Sequence, residues 1–177
     1  MGTILSTESA INIQMSCEVA VLVADALWAD KESYKTFLEG FYQSYLRGLI
    51  EYLLESQQIN DHLIKAACSA LERAATHVGE PAVEQAVNVL SAIYQLTSHR
   101  YEIAKSKCCS VIQMYFFFRT EGEIPVGLLE TVSECIVYLL LQCSTYDLYK
   151  DYDAYDSVFW LGSIVMDCYS EKNISEN

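Results

Sequence analysis

Polar residues fall at every fourth position between residues 35 and 55: Lys35, Glu39, Gln43, Arg47, Glu51 and Glu55. Phe37, Phe41, Tyr45, Leu49 and Leu53 stand on the opposite side. One apolar and one polar face at this spacing requires a helix, because a strand changes face at every second residue. Asp30 precedes the pattern and is the expected N-cap. Gly40 and Gly48 lie inside it, each at a cost of about 1 kcal/mol against Ala in a helix interior. Close approach of a neighbouring helix is the expected reason.

The rest of the chain reads the same way, and no stretch shows convincing strand alternation. Ser6, Thr7 and Ser9 offer caps to a first helix. Ile11, Met15, Val19, Leu22 and Ala26 recur at helical spacing on it, and Gln14, Glu18 and Asp25 form a narrow polar stripe. A stripe that narrow predicts a largely buried helix. Asn60 and Asp61 can cap a third helix that ends at Gly79, with Pro81 opening the next at a first-turn position. Ala82, Ala86, Val89, Ile93 and Leu96 line that fourth helix. A short helix over about 101–107 and an apolar segment over 109–118 follow. The helix opened by Pro125 becomes apolar all round over 136–141, which predicts a place in the middle of the fold. A last helix is expected over 157–169.

At 177 residues a single domain is expected, large enough to bury a full core from a 52% apolar composition. The net charge is −13, and the 11 Lys and Arg residues are spread singly. Without a basic cluster to neutralise phosphates, nucleic acid is not an expected partner. The seven cysteines (Cys17, Cys68, Cys108, Cys109, Cys135, Cys143 and Cys168) contain no CxxC and sit mostly in apolar helical patterns. They read as reduced core residues of a cytoplasmic protein. No Lys or Arg precedes Lys31, so signal-peptide and presequence patterns are absent. The apolar runs at 19–24 and 136–141 are too short to span a bilayer.

Chemistry finds little support. His62, His77 and His99 lie in different segments, and no nucleophile-elbow, zinc-protease, phosphate-loop or dinucleotide pattern occurs. Glu51 and Glu55 belong to the solvated stripe. No catalytic residue, metal site, cofactor or small-molecule substrate is expected, and the chain reads as a non-enzyme. The segment 146–157, YDLYKDYDAYDS, places Tyr146, Tyr149, Tyr152 and Tyr155 among aspartates. Acidic flanks suit tyrosine phosphorylation, while the plainer reading is a polar connector with amphipathic tyrosines. Asp151 and Asp153 open like a calcium loop, but the glycine and late glutamate do not follow.

The chain starts MGTILS, which fits the N-myristoylation pattern with Gly2 as the acceptor. One myristoyl chain binds membranes with an association constant of only about 10⁴ M⁻¹. The first thirty residues carry Glu8, Glu18, Asp25 and Asp30 and no base to add to it. An acylated Gly2 would therefore give reversible, peripheral membrane association.

Residues 86–105, AVNVLSAIYQLTSHRYEIAK, align with residues 131–150, TVSECIVYLLLQCSTYDLYK. Val87/Val132, Leu96/Leu141, Tyr101/Tyr146 and Lys105/Lys150 are identical. In each copy a long apolar helix, a polar break, a short helix and another apolar helix succeed one another. That order over 60–169 resembles armadillo or HEAT-type repeats, although Lys107 and Asp156 stand where armadillo repeats usually have glycine. The resemblance implies a concave protein-binding surface and no catalysis. Eight helices around an apolar central one also resemble a Bcl-2-type bundle, which implies a groove for an amphipathic helix and a role in cell death or signalling. The segment 71–80, LERAATHVGE, and Phe159-Trp160-Leu161-Gly162 carry that likeness, the latter lacking the usual arginine.

The reading that results is one all-α domain over 1–177 with a frayed tail at 171–177. Seven to eight helices would form a small armadillo/HEAT-like solenoid or a compact helical bundle. The expected function is that of a protein-binding adaptor or scaffold with a protein partner, cytoplasmic, and peripheral to a membrane through Gly2.

Overall fold

The structure is a computed structural model and describes residues 7–56, 60–96, 101–118, 124–145 and 152–175. Side chains at 7, 94–96, 102, 118, 142–145, 152–155, 157 and 171–175 lie outside what it describes. Among the described residues there is no strand, and the chain is all-α as its periodicity requires. The elements are α1 (Thr7–Leu27), α2 (Lys31–Phe41), a π-helical turn (Tyr42–Leu46), α3 (Arg47–Glu55), α4 (Asp61–Val78), α5 (Glu80–Leu96), α6 (Glu102–Phe118), α7 (Val126–Thr145) and α8 (Tyr152–Ser175).

Helix ends fall where local chemistry puts them. Asp30 Oδ1 accepts from the Ser33 N–H at 3.3 Å, and its other oxygen accepts from Ser33 Oγ at 2.6 Å. Those two bonds hold the Asp30 carboxyl below its usual pKa. Asn60 Oδ1 accepts from the His62 N–H at 2.9 Å and caps α4. Gly79 closes α4 at φ 74°, where a Cβ would be strained, and Pro81 follows in the first turn of α5.

The π-helical turn has a reason in the period-four stripe. A step of four residues overshoots one α-helical turn by about 40°, so a strict period of four drifts around the rod. An extra residue in one turn sets that drift back by about 100°. Backbone at both joints of the turn stays right-handed helical, so α2, the turn and α3 form one unbroken rod. Tyr34, Leu38, Tyr42, Leu46, Ile50 and Leu53 are thereby all buried.

The rods pack in two rows. α1, α4, α6 and α8 lie side by side in one row, and the α2–α3 rod, α5 and α7 form the other. α4 is central and touches every rod from α1 to α6. Its buried face is rich in alanine, with Ala67, Ala70, Ala74 and Ala75. Small residues let neighbouring helices approach closely. The architecture is compatible with a compact helical bundle and with a short solenoid.

Several expectations are corrected. α1 buries Cys17, Ala20 and Ala24, while Ile11, Met15, Val19 and Leu22 face outward, each more than half exposed. The helix carries two apolar faces, and the one with small side chains fits against α4. The span Glu8–Leu27, 20 residues of mean hydropathy 1.4, is also long and apolar enough to cross a bilayer by length and composition alone. α7 packs on α5 and α8 at the edge of the fold and leaves Val137 and Leu141 exposed. The segments expected at 101–107 and 109–118 are one continuous helix, α6, because nothing between Lys107 and Cys109 breaks it. α8 starts at Tyr152 and extends to Ser175, into the tail expected to fray. A Cβ built on Gly40 or on Gly48 meets no atom within 4 Å among the described residues, so no described helix approaches either glycine.

Cys17, Cys68, Cys108, Cys109 and Cys135 are buried and unbridged. The Cys68 and Cys108 sulfurs are 3.5 Å apart. Burial pushes the Cys17 and Cys135 thiols up to about 11.

Candidate binding surface

A cleft opens where the end of α1 meets α2, α4 and α6. Trp28, Lys31, Tyr34, Glu72, Arg73, Thr76, His77, Lys107 and Met114 line it, and it encloses about 610 Å³. That volume lies within the usual range for ligand pockets, about 300–1,000 Å³. The Asp30 cap fixes the first turn of α2 and so the positions of Lys31 and Tyr34; the Tyr34 N–H donates to the Asp30 carbonyl at 2.9 Å. On α4, Glu72, Arg73, Thr76 and His77 occupy the face opposite the alanine-rich core side.

Aromatic rings run across the cleft edge to face. Trp28 and Tyr34 lie 5.3 Å apart at 85°, and Tyr34 and His77 lie 5.5 Å apart at 75°. Burial raises the Tyr34 phenol pKa, opposed by the Arg73 guanidinium. Burial lowers the His77 pKa below 6.5, partly offset by Glu39 and reinforced by Lys35. The shift favours the neutral imidazole.

Arg73 pairs with Asp25 at 3.1 Å and ties α4 to α1, while Lys107 pairs with Glu72 and ties α6 to α4. Both pairs are partly exposed, and exposed pairs contribute only about 0–1 kcal/mol. Lys31, Arg73 and Lys107 are matched in number by Asp30, Asp25 and Glu72. The cleft therefore offers aromatic ring surface edged by charges of both signs. Among the described residues, no group of three or more His, Cys, Asp or Glu side chains is placed to hold a metal ion.

Met114 extends the surface along the molecule. It also lines a cavity of about 400 Å³ with Thr76, Gly79, Pro81 and Tyr115. A third cavity of about 510 Å³ shares Met114 with Phe117, Trp160 and Ile164, between α6 and α8. Phe117 and Trp160 are 76% and 66% exposed, so large rings stand in solvent along this face.

Of the residues singled out in the sequence, His77 and others of the segment 71–80 line the cleft, and Trp160 lines the cavity between α6 and α8. Gly2, Tyr146 and Tyr149 lie outside the described residues, and Tyr152 and Tyr155 fall in the first turns of α8 with side chains outside them. Trp28, Tyr34 and Met114 carried no local signal, because they come from three separate segments. The adjacency of Trp28 to the helix cap at Asp30 was the nearest one. The chain matches no family model, and neither the curated proteins nor the solved structures include a significant match to it.

Proposed function

We propose that this chain is a non-enzymatic protein-binding adaptor. The observation that carries the reading is the Trp28–Tyr34–Arg73 cleft, continued over Met114 to Phe117 and Trp160. Trp, Tyr and Arg are the residues that most often dominate binding energy at protein interfaces. The two-row order of the rods supports a short stack of helical pairs, the arrangement that gives repeat proteins their binding faces. In this reading the protein works in the cytoplasm, and an acylated Gly2 brings it reversibly to membranes.

Two experiments test it. A photo-crosslinking amino acid replaces Trp28 in one variant and Glu51, on the far polar stripe, in another. The adaptor reading expects a discrete adduct in cells at position 28 and none at 51. Equal labelling at both sites sinks it. The mass of the N-terminal peptide from eukaryotic cells tests the lipid separately; a bare Gly2 or a retained Met1 removes the membrane part and leaves the adaptor.

A further inference from the structure

Among the described residues, α4 and α6 share the broadest helix contact, and two thiols meet inside it. Cys68 of α4 and Cys108 of α6 are both wholly buried, with their sulfurs 3.5 Å apart. Ala66, Ala67 and Ala70 flank Cys68 on the buried side of α4, so no bulky side chain holds the two helices apart there. The sulfurs of a disulfide lie about 2.05 Å apart, which leaves this pair about 1.5 Å short of bonding distance. The joint also carries an ion pair. Cys68 and Glu72 are one turn apart on α4, Lys107 precedes Cys108 on α6, and Glu72 pairs with Lys107. Both charged residues line the cleft, so the thiols sit about one helical turn below its wall.

We propose that Cys68 and Cys108 are an oxidisable pair, closed by a hydroperoxide to a disulfide that staples α4 to α6 beneath the cleft. One sulfur, as thiolate, attacks the peroxide; the O–O bond breaks, the sulfur becomes a sulfenic acid and one water leaves. The other sulfur then displaces a second water from the sulfenic acid, and the S–S bond forms. In sum two S–H bonds and one O–O bond are broken. The two protons and two electrons lost by the thiols reduce hydrogen peroxide to two waters. Reduction by a small thiol through exchange reopens the pair.

Geometry selects the partner, and burial sets the pace. Cys17 and Cys135 lie near enough to the pair for charge to be felt between them. Cys109 follows Cys108 in the chain and points about 100° away around α6. The direct sulfur contact singles out Cys68 with Cys108. The contact with Cys68 and burial push the Cys108 thiol well above its usual pKa, so thiolate is scarce and closure is slow. In a reducing compartment the pair stays open, and only sustained peroxide closes it. The bond would join residues 40 apart in sequence, which restricts the unfolded chain and stabilises the fold. It would also fix the spacing of two helices that wall the cleft.

The test uses the full chain, reduced and then exposed to hydrogen peroxide under native conditions, quenched in acid, alkylated in denaturant and digested with trypsin without reduction. Cleavage places Cys68 in peptide 66–73 and Cys108 in peptide 108–119. The expected product is an adduct of these two peptides, two hydrogens lighter than their sum, that disappears with dithiothreitol. Cys109→Ala keeps the adduct and Cys108→Ala loses it, with helical content checked by circular dichroism. Fragmentation of the wild-type adduct locates the bridge on Cys68 and Cys108 even where a variant fails to fold. The oxidised protein should melt about 5–15 °C higher than the reduced one. No adduct after prolonged peroxide, Cys68 joined mainly to Cys109 or to another cysteine, or a lower melting temperature on oxidation overturns the proposal. The adaptor reading stands or falls elsewhere, since no partner protein enters this test.

Discussion

Replacing Gly40 and Gly48 together by alanine should stabilise the protein. Both glycines lie in the interior of the α2–α3 rod on its exposed side, at right-handed helical backbone. A Cβ at either position finds nothing within 4 Å, so the added methyl meets no clash and gains no burial. The gain comes from the unfolded state, where alanine has less conformational freedom to lose. Each exchange contributes about 0.5–1 kcal/mol, and the pair about 1–2 kcal/mol because the sites are two helical turns apart and share no partner. In a chain of this length each kcal/mol raises Tm by about 2–4 °C. Urea unfolding of wild type, both single variants and the double variant is the assay, read at constant m so that the shift in midpoint reports stability. A loss of stability would refute the reasoning. It would mean that another surface does approach these glycines closely, as the bare sequence suggested.

Tyr42 is 1% exposed and its hydroxyl has no hydrogen-bond partner among the described residues; Tyr42→Phe should leave stability unchanged or raise it by up to about 1 kcal/mol, and a clear loss in the same urea assay would show that the hydroxyl is bonded. His77 binds a proton less readily in the fold than at its reference pKa of 6.5. The unfolded chain therefore takes up that proton first, so stability falls as pH drops through 6.5 and levels off below the folded value; thermal melts of wild type and His77→Gln should differ in slope there, and parallel slopes refute the assignment. Cys17 and Cys135 titrate near 11 in the fold against 9.0 as reference. The unfolded chain loses those protons first, so stability should decline between pH 9 and 11. In native protein at pH 8 iodoacetamide should label the five buried cysteines far more slowly than in denaturant, and fast native labelling at Cys68 or Cys108 would contradict their burial.

The sequence by itself determined the all-α class and most helix boundaries. Asp30, Asn60, Gly79 and Pro81 act within one turn of themselves, so their effect does not depend on what packs nearby. The strict period of four announced the long rod and, with hindsight, its π-helical turn. Where the rods went was decided by packing. α1 has large apolar residues on one face and small ones on another, and hydrophobicity favoured the large. Contact with the alanine face of α4 selected Cys17, Ala20 and Ala24, because close helix approach rewards small side chains. The interior place expected for 136–141 failed similarly: an apolar stretch says that a face can be buried, while the neighbours decide whether it is. The cleft was least legible of all. Trp28, Tyr34, Arg73 and Lys107 are scattered along the chain and become neighbours only when α1, α2, α4 and α6 converge, and no local pattern records a convergence that the long-range contacts create.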